Sequence, residues 1–209
     1  MRVGLGSGST VAHLLPALAE RELKGVSCVA TSPATERAAR ALGLTVTTFD
    51  ELDELDVAID GADQIDPKGW LVKGGGGAQT REKIVAAAAR RFVVIASAEK
   101  AVAALAPPVP IEVMSFGAQS TLRALAHARV RLLSSGGESP NSGRLQLSPD
   151  GGLIADYFGP VGDPRELSAR MSAIPGVVEH GLFAPELVSV ILIAGEGRVE
   201  RRAGGKQNT

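Results

Sequence analysis

A glycine-rich run followed by an acid is the strongest chemical signal in the sequence. It extends from Lys73 to Lys83, contains four consecutive glycines at 74–77, and places Glu82 in the first turn of a segment with helical spacing. Four glycines lose much backbone entropy on folding, so an ordered run indicates tight turns or a backbone that lies against a ligand. Glu82 is therefore a candidate general base, and Lys73 a candidate for stabilising negative charge. A flexible linker and a solvated first-turn acid are the alternatives.

A second glycine turn lies at 4–10, between a short strand and a helix. Its glycines permit close backbone approach, and the helix N-terminus that follows offers free N–H groups and a partial positive charge. Ser7, Ser9 and Thr10 add hydroxyl donors, so the segment suits a phosphate group. It lacks the third glycine of the dinucleotide fingerprint and the Lys-Ser/Thr ending of a Walker loop. A tight turn with hydroxyl caps and no ligand is the alternative.

Acidic residues follow one of the apolar runs. Asp60 and Asp63 come directly after the run at 57–59, where carboxylates at the end of a parallel strand could hold substrate hydroxyls or move protons. An Asx-turn in which Asp63 caps backbone amides is equally compatible with this pattern. Lys100 follows another apolar run and could bind a phosphate or substrate oxygen, although a surface lysine is the commoner explanation.

Several classes of site are excluded by the residues that the sequence offers. The three histidines, His13, His127 and His180, are far apart and lack metal-ligand spacing, and the sequence has no Cys/His cluster. We therefore expect neither a metal nor a cofactor. The Gly-x-Ser-x-Gly pattern is absent, so serine hydrolase chemistry has no support. Cys28 is the single cysteine, which fits a reducing compartment and excludes an intrachain disulfide.

The charge balance argues against two further classes of partner. Of the 209 residues, 22 are lysine or arginine and 23 are aspartate or glutamate. There is no positive excess to bind nucleic acid or an anionic membrane, and we expect neither partner. No stretch has the apolar length of a signal peptide or a membrane helix, so we predict a cytoplasmic protein. The length allows one or two domains.

The spacing of apolar residues predicts the elements that must place these side chains. Apolar clusters at 26–30, 57–59 and 92–96 are short, rich in β-branched residues and not alternating, as expected of parallel strands covered on both faces. Segments with helical spacing lie at 11–21, 35–42 and 81–91. The order indicates the α/β class, in which ligands bind at the carboxyl ends of the strands.

The pattern changes at 106–110, a proline-rich joint that should continue neither a helix nor an inner strand. We place a domain boundary there, between a large domain at 1–110 and a small α+β domain at 111–183. In the small domain we predict helices at 116–128 and 164–173, strands at 130–133, 144–147, 153–157 and 177–182, and a mobile loop at 134–143. Residues 184–200 should return to the large sheet through a strand at 189–194. The polar segment 198–209 should fray, and 201–209 should be a flexible tail.

Four of these segments, in this order and spacing, resemble ribose-5-phosphate isomerase of the A type. They are Gly6–Thr10, Asp60–Asp63, Lys73–Gly77 with Arg81–Lys83, and Val178–Phe183. The resemblance covers nearly the whole chain. It implies a Rossmann-like parallel-sheet domain with a smaller ferredoxin-like α+β lid domain, and a homodimer or homotetramer. It also implies metal-free interconversion of ribose 5-phosphate and ribulose 5-phosphate, in the non-oxidative branch of the pentose phosphate pathway.

The resemblance also implies a role for each matching position. Glu82 would accept the proton, Asp60 would assist ring opening, and Lys73 would stabilise the enediolate. Asp63 would orient hydroxyl groups of the sugar. The substrate-binding positions would be Ser7, Gly8, Ser9, Thr10, Asp60, Gly61, Ala62, Asp63, Lys73, Gly74, Gly75, Gly76 and Lys100.

Two other functions use similar loops. A sugar-phosphate-sensing module of a transcription regulator would need a DNA-binding element, and the sequence offers neither a helix-turn-helix before Val3 nor a basic face. An amino-sugar-phosphate isomerase/deaminase or an acyltransferase relative would share the phosphate loop. Neither gives a reason for the spacing from Lys73 to Glu82 together with Asp60 and Asp63.

Overall fold

The chain alternates strands and helices in its first half and continues with mostly antiparallel strands. A computed structural model describes residues 1–52, 54–133 and 144–206. The elements of the first half are β1 (Arg2–Leu5), α1 (Ser9–Ala19), β2 (Ser27–Ala30), α2 (Pro33–Ala41), β3 (Leu55–Asp60), β4 (Gln64–Ile65), β5 (Leu71–Val72), α3 (Gln79–Ala88) and β6 (Ala89–Ser97). Those of the second half are β7 (Val109–Val113), α4 (Ala118–Leu125), β8 (Ala128–Val130), β9 (Leu153–Tyr157), α5 (Pro164–Ser172), β10 (Val177–His180), β11 (Leu182–Phe183), β12 (Val190–Gly195) and β13 (Arg198–Ala203).

Six strands form the large sheet, in the order β13-β12-β6-β3-β1-β2. All neighbours pair in parallel except β13, which lies antiparallel to β12 at one edge. One face packs on α3 through residues such as Val85 and Phe92, and the other packs on α1 and α2 through Leu15 and Ala39. Burial on both faces explains why these strands are continuous apolar runs in the sequence.

The carboxyl ends of β1 and β3 place the first two polar segments side by side. Leu5 of β1 pairs with Ile59 of β3, and the Gly6 N–H donates to the Ile59 carbonyl at 2.9 Å. Ser7 follows Gly6, and Asp60 follows Ile59. The first glycine turn and the acidic segment therefore lie side by side at the carboxyl ends of the two strands. Ligands of such sheets bind at this end of the strands.

The second sheet has four antiparallel strands, in the order β10-β7-β9-β8. Together with α4 and α5 it has the chain order β-α-β-β-α-β, which is the ferredoxin-like arrangement. Its apolar residues, including Ile111 and Met171, form a core of buried side chains. The predicted fold class, an α/β protein with a Rossmann-like parallel sheet and a smaller ferredoxin-like α+β unit, is therefore confirmed.

A third sheet, β11-β5-β4, joins the two larger ones and was not predicted. It divides the strand predicted at 177–182 into β10 and β11, which lie in different sheets. The division falls at Gly181, where a Cβ atom would lie 2.1 Å from the Lys73 carbonyl oxygen. The Gly181 carbonyl accepts a hydrogen bond of 2.8 Å from the Lys73 N–H. This close approach fixes the backbone that carries the Lys73 side chain.

Several predicted boundaries were wrong. The helix predicted at 81–91 ends at Ala88, because Ala89 already pairs with Leu55 in the large sheet. The helix predicted at 116–128 is α4, which ends at Leu125, and the last residue of the predicted helix, Ala128, belongs instead to β8. The strands predicted at 130–133 and 144–147 are reduced to β8 and two isolated bridges, Leu132–Leu145 and Leu147–Leu153.

Pro110 contradicts the prediction that the proline-rich joint excludes an inner strand. It lies in β7, between β10 and β9. The carbonyl of Pro110 accepts from the Gly181 N–H at 2.7 Å, while the Gly181 carbonyl is occupied by the Lys73 N–H. The acceptor that an N–H at position 110 would have used is the Gly181 carbonyl. Because Lys73 already donates to that carbonyl, proline is tolerated here.

The predicted frayed C-terminus was also wrong over most of its length. Residues Arg198–Ala203 form β13, which pairs with β12 at six positions. Its charged side chains suit an exposed edge strand, because charge opposes pairing with another chain. Residues 207–209 of the predicted tail, and the predicted loop at 134–143, lie outside the described residues.

Within residues 1–52, 54–133 and 144–206, the structure contains neither a membrane-spanning helix nor a metal-binding cluster. None of their helices combines the length and apolar character needed to cross a bilayer. Likewise, in that part of the chain, no three His, Cys, Asp or Glu side chains gather as a possible metal-binding group.

A buried histidine cluster ties α3 to the small sheet. His180 Nε2 lies 3.1 Å from the hydroxyls of Ser168 and Ser172 on α5, and Nδ1 lies 3.3 Å from the Lys83 ammonium on α3. Lys83 also donates to the Glu179 carboxylate at 2.6 Å and to the His180 carbonyl at 2.7 Å. Burial, and secondarily the Lys83 charge, lowers the pKa of His180 to about 4. The ring is therefore neutral at physiological pH.

This cluster predicts part of the acid sensitivity of the fold. Between pH 6.5 and 4 the unfolded chain protonates His180 and the folded chain does not, so stability falls as pH decreases. In wild type, His180 should lower the free energy of unfolding by up to about 3 kcal/mol between pH 6.5 and 4, and we expect His180→Gln to abolish this contribution. Urea unfolding at pH 7, 5.5 and 4 measures it, with exposed His13→Gln as the control. An identical pH slope in wild type and His180→Gln would contradict the assignment.

Candidate active site

An ammonium group lies between two carboxylates at the carboxyl end of the large sheet. Lys73 Nζ is 2.9 Å from Asp60 Oδ2 and 3.1 Å from Glu82 Oε2, and it donates to the Gly61 carbonyl at 2.7 Å. The side chains of all three ionisable residues are no more than 4% exposed. The remaining Glu82 oxygen, Oε1, accepts a 2.5 Å hydrogen bond from the Ser7 hydroxyl. We call Asp60, Lys73 and Glu82 the charged triad.

Burial and mutual attraction set the protonation of the charged triad. Burial raises the pKa of Asp60, the neighbouring Glu82 charge raises it further, and Lys73 partly opposes both, which leaves it at about 7. Burial by itself would lower the pKa of Lys73, but the Asp60 and Glu82 carboxylates outweigh it and the pKa is raised. Lys73 therefore remains an ammonium, and Asp60 is able to gain or lose a proton near neutral pH.

Each member of the triad is held by a different element. Asp60 is the last residue of β3, and its Oδ1 accepts from the N–H groups of Gly61 at 2.7 Å and Ser7 at 3.1 Å. A Cβ atom at Gly6 would lie 1.9 Å from the same oxygen, so the first turn needs glycine there for Asp60 to fit. Lys73 follows β5, and Glu82 lies in the first turn of α3.

The first glycine turn points helix α1 at the same crevice. Helix α1 begins at Ser9 with Gly8 as its N-cap, and no side chain caps the N–H groups of its first turn. N–H groups at such a helix start attract anions. Ser9 is exposed and Thr10 is half-buried. The hydroxyl of Ser7, which we predicted as a ligand of phosphate, is instead directed at Glu82 in this structure.

The second glycine loop covers the other side of the crevice. The Gly75 N–H donates to Asp63 Oδ2 at 2.8 Å, and the Gly77 N–H closes a turn on the Gly74 carbonyl at 2.9 Å. Gly74 has φ of +98°, and a Cβ atom there would lie 2.7 Å from the Cβ atom of buried Gln79. The run is an ordered loop between β5 and α3 and not a linker.

The structure brings all the sequence-predicted site residues together. Asp60 lies directly behind the crevice wall, in contact with Lys73. The crevice itself is lined by Ser7, Gly8, Ser9, Thr10, Gly61, Ala62, Asp63, Lys73, Gly74, Gly75, Gly76, Glu82 and Lys100. Lys100 ends a short helical turn after β6 and supplies a second cation to this wall. The arrangement offers an anion site, a buried base with an adjacent acid, and a fixed positive charge.

Sequence reasoning missed three residues that contact this site. The ring of Phe183 lies close to two ammonium groups, with Lys73 Nζ 5.5 Å and Lys83 Nζ 4.9 Å from the ring centroid. Arg131 and Gln146 of the small unit donate to carbonyls of the second glycine loop. The aromatic belonged to a recognised motif but had no assigned role, and the other two carry no local sequence signal.

Known proteins are similar to this chain in sequence and in fold. A family model described as ribose 5-phosphate isomerase A (phosphoriboisomerase A) matches residues 27–198, a span that includes the whole charged triad. The ribose-5-phosphate isomerase A of Dinoroseobacter shibae is 44% identical over 210 residues, covering 97% of this chain and 81% of that protein.

Solved structures agree with the sequence relatives. That of ribose 5-phosphate isomerase A from Methanocaldococcus jannaschii has a TM-score of 0.87 at 34% identity, covering 97% of this chain and 91% of the other. A D-ribose-5-phosphate isomerase in complex with phospho-erythronic acid has a TM-score of 0.86 at 31% identity, covering 97% and 90%.

The charged triad predicts an unusual pH response when its cation is removed. Lys73→Met leaves two buried carboxylates without their counter-ion, which costs about 3–5 kcal/mol of folding stability when both are ionised. At lower pH one carboxyl takes up a proton in the folded state, so the loss shrinks. We expect a larger loss at pH 8 than at pH 5.5 in urea unfolding, and no such trend for exposed Lys68→Met. An equal loss for Lys73→Met at both pH values would show that the carboxylates do not depend on Lys73.

Proposed function

This chain belongs to the ribose 5-phosphate isomerase A family, and we propose that it interconverts ribose 5-phosphate and ribulose 5-phosphate with Glu82 as the base. The observation that carries the proposal is the position of the Glu82 carboxylate. It is buried, 3.1 Å from the Lys73 ammonium, and lies in the wall of a crevice between a helix N-terminus and a glycine loop. Low access to water suits a carboxylate that takes a proton from carbon, and the nearby ammonium stabilises the negative oxygen that forms on the substrate.

The crevice supports one direction for the substrate. The phosphate binds at the start of α1, where the N–H groups and hydroxyls of Ser9 and Thr10 are available. The sugar then extends toward the charged triad, with Asp63 and the glycine loop beside its hydroxyl groups. Lys100 lies in the same wall and supplies an additional charge for the phosphate or a sugar oxygen.

Ring opening is the first chemical step of the proposal. A furanose opens when a proton leaves the hydroxyl on C1 and another reaches the ring oxygen. Asp60 lies behind the crevice wall and exchanges these protons with the sugar through the Lys73 ammonium, and its pKa of about 7 allows it to hold and release a proton near neutral pH. Lys73, at 2.9 Å, keeps that carboxyl oriented.

Isomerisation follows through an enediolate. Glu82 takes the proton from C2 of the open-chain aldose and returns it to C1, while the proton on O2 is passed to O1. The oxygen that becomes negative is stabilised by the Lys73 ammonium and by N–H groups of the glycine loop. The hydrogen bond from Ser7 to Glu82 Oε1 holds the carboxylate in one orientation. One carboxylate thus performs both proton transfers.

The proposal extends to the setting of the enzyme. It places the reaction in the non-oxidative branch of the pentose phosphate pathway, in the cytoplasm, with a sugar phosphate as the small-molecule partner. It also includes assembly as a homodimer or homotetramer. Apolar side chains on the surface of the small unit, among them Phe116 at 90% exposure and Phe158 at 51%, support such assembly.

Replacing the base tests the proposal. We expect Glu82→Gln to lower kcat for ribose 5-phosphate by at least about 10²-fold, because an amide does not accept the C2 proton. The assay follows ribulose 5-phosphate formation in chelator-treated buffer. Glu36→Gln, an exposed carboxylate paired with Arg40, is the matched control and should retain wild-type turnover.

Two outcomes would count against this function. Wild-type turnover in Glu82→Gln would remove Glu82 from the base role. A wild-type protein that binds ribose 5-phosphate without converting it would favour a sugar-phosphate-sensing module instead.

A further inference from the structure

We propose that Arg131 is a positioning residue that orients the peptide groups of the glycine loop, so that the Gly76 N–H faces the substrate. This inference rests on the proposed isomerase function and adds a residue from the small unit to it. Arg131 follows β8 and is not among the residues that line the crevice with Lys73 and Glu82. It does not itself reach the reacting atoms.

The guanidinium of Arg131 is held by Asp156 as well as contacting the loop. Its Nε donates to Asp156 Oδ2 at 2.7 Å, and its Nη2 donates to the other oxygen of the same carboxylate. The two side chains are 18% and 13% exposed. This bidentate pairing leaves Nη1 in a fixed position, from which it donates to the carbonyls of Gly75 at 2.8 Å and Gly74 at 3.3 Å.

Gln146 extends the same contact by one residue. Its Nε2 donates to the Gly76 carbonyl at 3.0 Å. Three consecutive carbonyls, at 74, 75 and 76, therefore point toward the small unit. Four adjacent glycines have no side chains that would fix this orientation. Inside the loop the Gly77 N–H holds the Gly74 carbonyl, whereas the carbonyls of Gly75 and Gly76 are held by Arg131 and Gln146 from outside it.

Fixing the carbonyls also fixes the N–H groups. In a trans peptide the C=O of one residue and the N–H of the next point in opposite directions. The Gly74 carbonyl faces Arg131, and the Gly75 N–H correspondingly points away from it, to Asp63. By the same geometry the Gly76 N–H points away from Arg131, and in the described parts of the chain it has no hydrogen-bond partner.

The Gly76 N–H is available to stabilise the negative oxygen that forms in the proposed reaction. Gly76 and Glu82 line the same crevice. A donor that is already oriented stabilises a developing negative oxygen without having to reorganise during the reaction. Because Asp156 neutralises Arg131, the main effect of Arg131 is on orientation and not on charge. Lysine would not replace it, since an ammonium lacks the planar fork that joins a carboxylate to two carbonyls.

The test separates orientation from folding. We expect Arg131→Met and Arg131→Lys to lower kcat about 10- to 100-fold, the scale of a small misplacement near the reacting atoms. The KM should change far less, because the phosphate site is elsewhere. Arg129→Met, on β8 and stacked against Phe158, is the matched control and should keep wild-type kcat. Gln146→Leu should act in the same direction as Arg131→Met but more weakly.

Two readouts exclude a merely structural effect. Guanidine at a non-denaturing concentration should restore part of the activity of Arg131→Ala and none of that of Glu82→Gln. Amide hydrogen exchange at Gly75 should be faster in Arg131→Met than in wild type. The Gly75 N–H, which donates to Asp63, shares a peptide plane with the Gly74 carbonyl that Arg131 contacts. This second readout needs no turnover, so it remains decisive if the wild type proves not to be an isomerase.

Either of two results would overturn the inference. One is a folded Arg131→Met with wild-type kcat and wild-type exchange at Gly75. The other is an activity loss that follows the folded fraction and is not restored in Arg131→Ala by guanidine. A wild type without isomerase activity would overturn the proposed function, and the exchange measurement would still decide the orientation of the loop.

Discussion

Lys73 places its ammonium within 3.1 Å of two carboxylates, Asp60 and Glu82, with almost no access to water. Such a group is stable only when every charge has a partner, because an unpaired buried ion costs several kcal/mol. The three side chains come from β3, from the loop after β5 and from α3. The large sheet, the glycine loop and α3 must therefore adopt one relative arrangement for the protein to fold. The same arrangement places two carboxylates and a fixed positive charge at one crevice.

The two glycine segments serve this arrangement in different ways. In the first, Gly6 makes room for the Asp60 carboxylate, and the turn then starts α1 with its N-terminus toward the crevice. In the second, the glycines allow the backbone to approach Asp63, which accepts from the Gly75 N–H, before the chain enters α3. The small unit contributes from the far side, through Gly181 against Lys73 and through Arg131 against the loop. The crevice is thus held both from the large sheet and from the small unit, and of the charged triad only Asp60 lies on a strand of the large sheet.

Local patterns in the sequence were sufficient for the charged residues and insufficient for the contacts that support them. Asp60 and Lys73 follow apolar runs, and Glu82 follows the glycine run, so each is marked by its local sequence. Of the three, only Asp60 ends a parallel strand, where ligands of such sheets bind. Arg131 lies 57 residues from Gly74, in a segment with no pattern that indicates a buried contact. The end of α3 was misplaced because its alanines favour helix, whereas pairing of Ala89 with Leu55 decides the outcome. Pro110 was misread because its tolerance in β7 depends on Gly181, a residue distant in sequence.

A crystal structure of the protein with phospho-erythronic acid would test the central claim, that the crevice binds a sugar phosphate with its phosphate at α1 and its reacting end at Glu82. We predict phosphate oxygens about 3 Å from the N–H groups of Ser9 and Thr10. The carboxylate of the analogue should contact Lys73 and the Gly76 N–H, with Glu82 about 3–3.5 Å from the adjacent carbon. An analogue bound in the reverse direction, with its phosphate against Lys73, would contradict the account.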